Sequence, residues 1–430
     1  LAARQLLWNA VVQLRFGKAA QENEALSAAR KRLESSTSSD PLLRLALAAD
    51  QLMRGDLQAA SALQGLSLPK AQQGVFAWLQ GEAALRANKP AQASELFARA
   101  SQAGFQPAAE WGSVRAFEAR GEAPPSTLLA TILRLNPRHF AAKVAQTRAQ
   151  FERTGDPALV DLLGGNRSKA IASWPEFDAA PSDAAKAWVL IGDARLAEGT
   201  LGQSADAYQR ALVLHKDDAA AQKGLAQVML DARDPHQALL WARKAQSSGK
   251  GRVVDQARIV ELRALSETDK AEEGLRKFES YFPKADQDPK LLVLKGRLER
   301  GAGNPGGAEA LYQRALEMAP ENLEAHFALA EHYFLADQNF PANRTLKKAS
   351  ANTTATAAVY AALGDMLLKV SKPWKAQEAY SQALLRNETH SHAMAGLYLA
   401  YKSSGREDKA LTTLEELRKV DPTFPNLQKL

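Results

Sequence analysis

Cysteine is absent from the 430 residues, which excludes disulfides, thiolate metal sites and a cysteine nucleophile together. Long apolar runs are absent too: no stretch approaches the roughly 18 residues that a membrane-spanning helix needs. Phosphate-loop glycines are missing, since Gly164-Gly165-Asn166-Arg167-Ser168-Lys169 is a basic turn and lacks the spacing that cradles a nucleotide. No Ser, His and Asp can be singled out as a triad, and the carboxylates are spread along helical faces where solvation is the default. No catalytic residue, cofactor or metal is therefore expected, and the chain reads as a non-enzyme. A formal charge of +7 and a pI near 9.3 are modest for this length, so a nucleic-acid partner is not expected. The chain begins at Leu1, not Met, which leads us to expect a fragment or a processed form.

What the sequence does have is a period. Gly296, Ala308, Tyr312 and Ala315 recur 34 residues on as Ala330, Ala342, Leu346 and Ala349, then as Gly364, Ala376, Tyr380 and Ala383. The phase runs back to Gly192, Ser204, Tyr208 and Ala211, and to Ala226, Ala238, Ala242 and Ala245, giving seven units between Lys186 and Pro422. A fixed period near 34 with small residues in fixed columns predicts stacked helical hairpins. In such an array each unit packs only on its neighbours, so chain length does not set a domain count.

The unit 289–322 shows why hairpins form. Asp288 and Pro289 suit the start of a first helix, as cap and first-turn proline. The turn from Gly301 to Pro305 ends that helix and opens a second, on which Ala308, Leu311, Tyr312 and Ala315 make one apolar stripe. Pro90, Pro235, Pro305 and Pro373 each precede the small residue of the second helix by three positions, where a missing amide costs nothing. Gly296 and Ala308 are expected where two helix axes approach closely, with Tyr312 beside them. One unit drifts: Ile259 and its companions come 33 residues after Ala226 and the next unit 37 later. The surplus is assigned to the loop Tyr281–Asp288.

The N-terminal third is the same pattern eroded. Gly81, Ala93, Phe97 and Ala100 keep the spacing; Ala48, Gly55 and Ala60 suggest an earlier unit, and Trp111 to Pro137 a unit with a shortened second helix. Residues 164–184 break the period with two glycines and two prolines around Trp174 and Phe177. The expected organisation is a degenerate subarray over 1–163, an irregular linker over 164–184 and a regular array over 185–430.

These residues resemble the tetratricopeptide repeat, whose signature runs Trp, Leu-Gly, Tyr, Ala, Tyr or Phe, Ala, Pro. It is carried here by Trp188, Ile191-Gly192, Tyr208 and Ala211, and again by Tyr360, Leu363-Gly364, Leu367, Ala376, Tyr380 and Ala383. The resemblance implies an all-α solenoid wound as a right-handed superhelix, and a scaffold that holds a protein or peptide in its concave groove. Carried over, the groove stripe is Lys223, Gln227 and Leu230; Arg297 and Arg300; Phe327, Glu331 and Phe334, with packing on the next unit the alternative for both Phe; Asp365 and Leu368; His392, Ala395 and Leu399. The alanine-rich, cysteine-free style is similar to bacterial envelope members of the class that serve secretion, exopolysaccharide export or pilus assembly, which implies a periplasmic location, with the cytoplasm as alternative. Two other readings stay open: a regulatory or substrate-docking arm of a larger enzyme such as a glycosyltransferase, and binding of an anionic polysaccharide.

Two smaller features are weighed against plain solvation. His390 and His392, two residues apart at a helix start, face different directions and read as solvated. Arg243, Lys244, Lys250 and Arg252 form a basic turn that would be the next candidate for an acidic partner.

Overall fold

The computed structural model describes residues 31, 34, 40–53, 68–136, 139–156, 181–351 and 356–428. Gly55, Ala60, Trp174, Phe177 and most of the expected linker lie outside these residues. Among the described residues there are twenty α-helices, one 3-10 turn and no strand, as the hairpin period requires. The chain divides into two compact units, 1–187 and 188–430.

The first unit contains α1 (Pro41–Met53), α2 (Lys70–Arg86), α3 (Pro90–Gln102), α4 (Ala108–Ala119), α5 (Ser126–Leu135) and α6 (Phe140–Thr154). Helix α7 (Pro181–Ala197) runs across the division. The second unit continues with α8 (Leu201–Leu214), α9 (Ala219–Asp231), α10 (Pro235–Ser248), α11 (Arg252–Ser266), α12 (Ala271–Tyr281) and α13 (Pro289–Gly301). It ends with α14 (Pro305–Met318), α15 (Leu323–Leu335), α16 (Asn339–Ala351), α17 (Ala357–Lys369), α18 (Pro373–Arg386), α19 (Ser391–Ser403) and α20 (Glu407–Val420). From α9 onward the odd-numbered helices pack on the even-numbered ones that follow them, and α9, α11, α13, α15, α17 and α19 also touch in succession. The first helices thus form one layer, and the side chains on its free face are the candidate site.

The turns explain the regularity. Gly199, Arg233, Gly303, Asp337, Ser371 and Gly405 all take the left-handed conformation at the same place in their hairpins. The next amide then bonds back five residues, as from Asp234 to Met229, Asn304 to Glu299 and Lys372 to Leu367, closing the first helix with a Schellman turn. Second helices start with proline at Pro90, Pro235, Pro305 and Pro373. First helices are capped by Asp218, Asp288, Asn322 and Thr356, whose side chains accept from amides two or three residues on. The drifting unit absorbs its surplus in the 3-10 turn Ala285–Gln287, inside the expected loop.

The glycine column has a more specific cause than close helix axes. A Cβ on Gly192 or Gly224 would overlap the ring of Tyr208; on Gly364 or Gly396, the ring of Tyr380; on Gly81 or Gly112, the ring of Phe97. Each aromatic on a second helix lies between the first helix of its own hairpin and that of the next. Tyr208, Tyr312, Tyr380 and Phe97 are fully buried, each contributing roughly 2–3 kcal/mol of apolar burial. The glycines make room for rings, and an alanine or leucine there would have to displace one.

Candidate functional site

The residue after the small column marks the stripe of the first-helix layer, with Val260 the member that packs into the core. Down the second unit it reads Asp193, Gln227, Val260, Arg297, Glu331, Asp365 and Leu399. Asp193 accepts from the Tyr208 hydroxyl at 2.7 Å and lies 3.8 Å from Lys223. Gln227 donates to Asp231 at 2.7 Å. Asp365 is the most connected: it accepts from Tyr380 at 2.7 Å and from Arg233 at 2.8 Å, and pairs with His392 at 2.7 Å. Burial works against its charge, yet His392 and Arg233 outweigh burial and hold Asp365 well below the usual carboxylate range. Its presence in turn raises His392 against the opposing effect of burial.

A second network occupies the neighbouring hairpins. Arg297 pairs with Glu324 at 3.3 Å, and Arg300 with Glu331 at 2.7 Å. Lys369, from two hairpins on, reaches the same Glu331 at 3.0 Å. Burial opposes ionisation of Glu331, but Lys369, Arg300 and Arg297 together keep its carboxyl below the ordinary value. Burial pushes Glu267 and Asp231 upward, despite Lys369 near the first and His392 near the second.

The aromatic pair expected on the groove separates. Phe334 is buried in the core with Ala330, Met366 and Leu367, while Phe327 is half-buried. Leu230 is core, Ala395 is buried, and Leu368 and Leu399 are half-buried. Arg233, Tyr380, Lys369, Glu324 and Asp231 belong to the two networks although they are outside the expected stripe. The left-handed turn aims Arg233 inward, which no local sequence rule foretells.

The histidines are not solvated, contrary to expectation. His390 is buried, caps α19 by accepting from the Ala393 amide at 3.2 Å, and lies against Gly199; burial depresses it to about 4. His392 sits in the Asp365 network. The reason is a long-range contact within the second unit. The Gly199 carbonyl accepts from the His392 amide and from the Ser391 hydroxyl, both at 3.1 Å, and the Leu201 amide donates to that hydroxyl at 3.0 Å. The Gly202 amide donates to buried Asp421 at 2.9 Å, Asn387 donates to the Glu198 carbonyl at 2.8 Å, and Asn426 to Asp234 at 3.2 Å. Thr200, at the N-cap of α8, makes no side-chain cap, so Ser391 and Asp421 satisfy the amides that a helix start leaves open. The second unit comes back on itself: its first two hairpins meet its last two.

The basic turn is engaged as well, since Arg243 bonds Glu261 at 2.9 Å and Glu273 at 3.0 Å and Lys244 lies over Trp241 at 4.2 Å. Among the described residues no three His, Asp or Glu side chains gather as metal ligands, and no helix is long and apolar enough to cross a membrane.

Tetratricopeptide-repeat family models match residues 189–252 and 299–366. No curated protein matches the chain. The crystal structure of the APC/C hetero-tetramer Cut9–Hcn1 aligns with 99% of this chain and 89% of its own, at 14% identity and a TM-score of 0.44. PilF of Pseudomonas aeruginosa aligns with 50% of this chain and 97% of its own, at 15% identity and a TM-score of 0.33. MamA of Desulfovibrio magneticus RS-1 aligns with 39% of this chain and 93% of its own, at 17% identity and a TM-score of 0.31. At such values these likenesses bear neither on partner nor on pathway.

Proposed function

We propose that this chain, a tetratricopeptide-repeat protein, is a non-enzymatic scaffold whose second unit holds an extended segment of a partner protein on the first-helix layer. One observation carries the reading: charged side chains from α13, α15 and α17 converge on that layer as the Arg300–Glu331–Lys369 network. Packing of rings against glycines holds the array together without them. Because the first and last hairpins meet, a thin segment suits the enclosed face better than a folded domain does. The alanine-rich, cysteine-free style resembles bacterial envelope members of the family, and we propose an envelope assembly or export system, with the cytoplasm as the alternative.

Lys369 and Arg233 keep 48% and 40% of their side chains accessible, but each bonds a carboxylate, so capture is scored only on variants whose circular dichroism matches the wild type. Affinity capture from the source cell should retain a protein on the wild-type chain that is lost on both Lys369→Glu and Arg233→Glu. Equal retention by both variants, with circular dichroism unchanged, would move the site off this face. Fractionation that finds the protein in the cytoplasm would remove the envelope assignment alone.

A further inference from the structure

Two aromatic side chains stand out of the second helices at a column that is small or polar elsewhere. Phe340 on α16 and Trp374 on α18 are 34 residues apart, each in the first turn of its helix. The same column holds Gly202, His236, Gly306 and Asp408 in the other hairpins that keep the phase. Phe340 is 79% exposed and Trp374 56%, and Leu335, at the end of α15 just before the Phe340 turn, is also 56% exposed. Packing does not use them: Phe334, Leu346 and Tyr380 fill the core of these hairpins instead.

The turn between α17 and α18 brings the two aromatics to one edge. Lys375 donates to Asn343 of α16 at 3.0 Å, and Lys372 and Lys375 lie 5.7 and 5.9 Å from the Phe334 ring of the preceding hairpin. The cations here differ in kind from those on the first-helix layer. There Arg297, Arg300 and Lys369 each meet a carboxylate. Arg344 and Lys348 follow Phe340 by four and eight residues, so they share its face of α16, and both are exposed. Together with Lys372 and Lys375 they form no ion pair among the described residues. These four outnumber the exposed acids of the same stretches, Asp337 and Glu378, and Glu407-Asp408 on α20 end the basic surface.

A cation with no carboxylate beside it keeps its attraction for an anion outside, and an exposed ring at the same place gains from apolar surroundings. A bilayer with anionic headgroups supplies both at one depth. Aromatic rings settle at headgroup level, and Lys and Arg hold the charged surface. Either signal alone binds weakly, whereas the two together anchor. A protein partner takes such rings into pockets at the centre of an interface, but these two protrude at hairpin turns. No described helix is long and apolar enough to cross a membrane, so the contact is peripheral.

We propose that the turn edge of hairpins α15–α16 and α17–α18 is a membrane-contact surface. Phe340 and Trp374 enter the headgroup region of an anionic bilayer, and Arg344, Lys348, Lys372 and Lys375 hold its phosphates. The inference goes beyond the scaffold reading and does not depend on it, because it uses the second helices and leaves the first-helix layer free.

The test is flotation of the full chain with unilamellar vesicles, made of phosphatidylcholine alone or of phosphatidylcholine mixed equally with phosphatidylglycerol. The wild type should float with the mixed vesicles only, and raised salt should release it. Phe340→Ser combined with Trp374→Ser should lower the partition coefficient by about tenfold or more. Lys372→Gln combined with Lys375→Gln should do the same, at about fivefold per cation. Val213→Ser combined with Leu385→Ser removes side chains that are 87% and 77% exposed near the C-terminal ends of α8 and α18, and should stay within about twofold. Equal losses in the two serine pairs would reduce the effect to exposed apolar area and overturn the surface. Equal flotation with both kinds of vesicle, or with neither, would overturn it too. If the Phe340 and Trp374 pair fails to fold by circular dichroism, the lysine pair decides, and undiminished flotation by that pair rejects the surface. A captured protein lost on the Phe340 and Trp374 pair, without vesicle binding by the wild type, would make this edge a protein-docking surface and reject the lipid.

Discussion

The hairpins α13–α14 and α17–α18 share one frame and carry opposite charge at one position of it. Gly296 under Tyr312 and Gly364 under Tyr380 solve the same packing problem in the same way. One position later the first has Arg297 and the second Asp365, and everything polar follows from that exchange. With Asp365 the tyrosine, Arg233 and His392 all find a partner; with Arg297 the tyrosine finds none. The frame sets where a side chain points, and a single column sets whether the tyrosine hydroxyl finds its acceptor within its own hairpin.

Acid should break the comparison most strongly, because His390 and His392 stand on the Asp365 side and burial and Asp365 shift them in opposite directions. His390 is depressed to about 4 in the folded chain, below its unfolded value of about 6.5. Its neutral form is favoured, so its contribution is complete above about pH 6.5 and is lost as pH falls toward 4, by roughly 3 kcal/mol. His392 is raised, so its contribution is complete below the unfolded value and fades as pH rises through the folded one. Thermal melts should therefore show a stability optimum near neutral. His390→Gln should flatten the acid limb and His392→Gln the alkaline limb; unchanged limbs in both variants would separate the two histidines from stability.

Removing the carboxylate comes next. Asp365→Ala strands Arg233, His392 and the Tyr380 hydroxyl together, and should cost about 2–3 kcal/mol by chemical denaturation. The figure is reduced because Asp365 retains about a third of its side-chain exposure. Arg297→Ala should cost less, about 1 kcal/mol, since Lys369 and Arg300 still hold Glu331.

Gly364→Leu and Gly296→Leu test the shared frame. Each drives a side chain into a buried tyrosine ring and should destabilise by about 1–3 kcal/mol, with similar values for the two. A large difference between them would mean that the rings are not held alike.

The smallest effect is the most diagnostic. Tyr380→Phe removes a hydrogen-bonded hydroxyl and should cost about 1 kcal/mol, whereas Tyr312→Phe removes an unpartnered one and should stay within about 0.5 kcal/mol. Equal losses from the two would show that the Tyr312 hydroxyl is already satisfied in solution.

The hairpins, their proline starts and the small columns were all legible in the sequence, because helical period and turn chemistry act between near neighbours. Arg297, Arg300, Glu331 and Asp365 were also legible as one stripe. The partners of that stripe were not. Arg233 reaches Asp365 across 132 positions of sequence, and Asp421 caps α8 across 219. Such contacts follow from small rotations accumulated over seven units, and no local pattern records their sum. The sequence left Phe334 between groove and core for a related reason: helical spacing gives a face, and the next hairpin, with Val370 and Ala376 in one cluster with Phe334, decides that it is covered. His390 was legible as a helix start, and its burial under Gly199 was not.

The contact of Ser391 and Asp421 with the start of α8 changes the order in which the second unit can come apart. In a linear stack the terminal repeats have one neighbour each and fray first, so disorder enters from the ends. Here the opening and closing hairpins are neighbours of each other, and neither is an end in that sense. A lesion in α20 is then felt at α8 before it is felt at α14, and unfolding of the second unit should proceed as one cooperative event rather than as progressive unzipping.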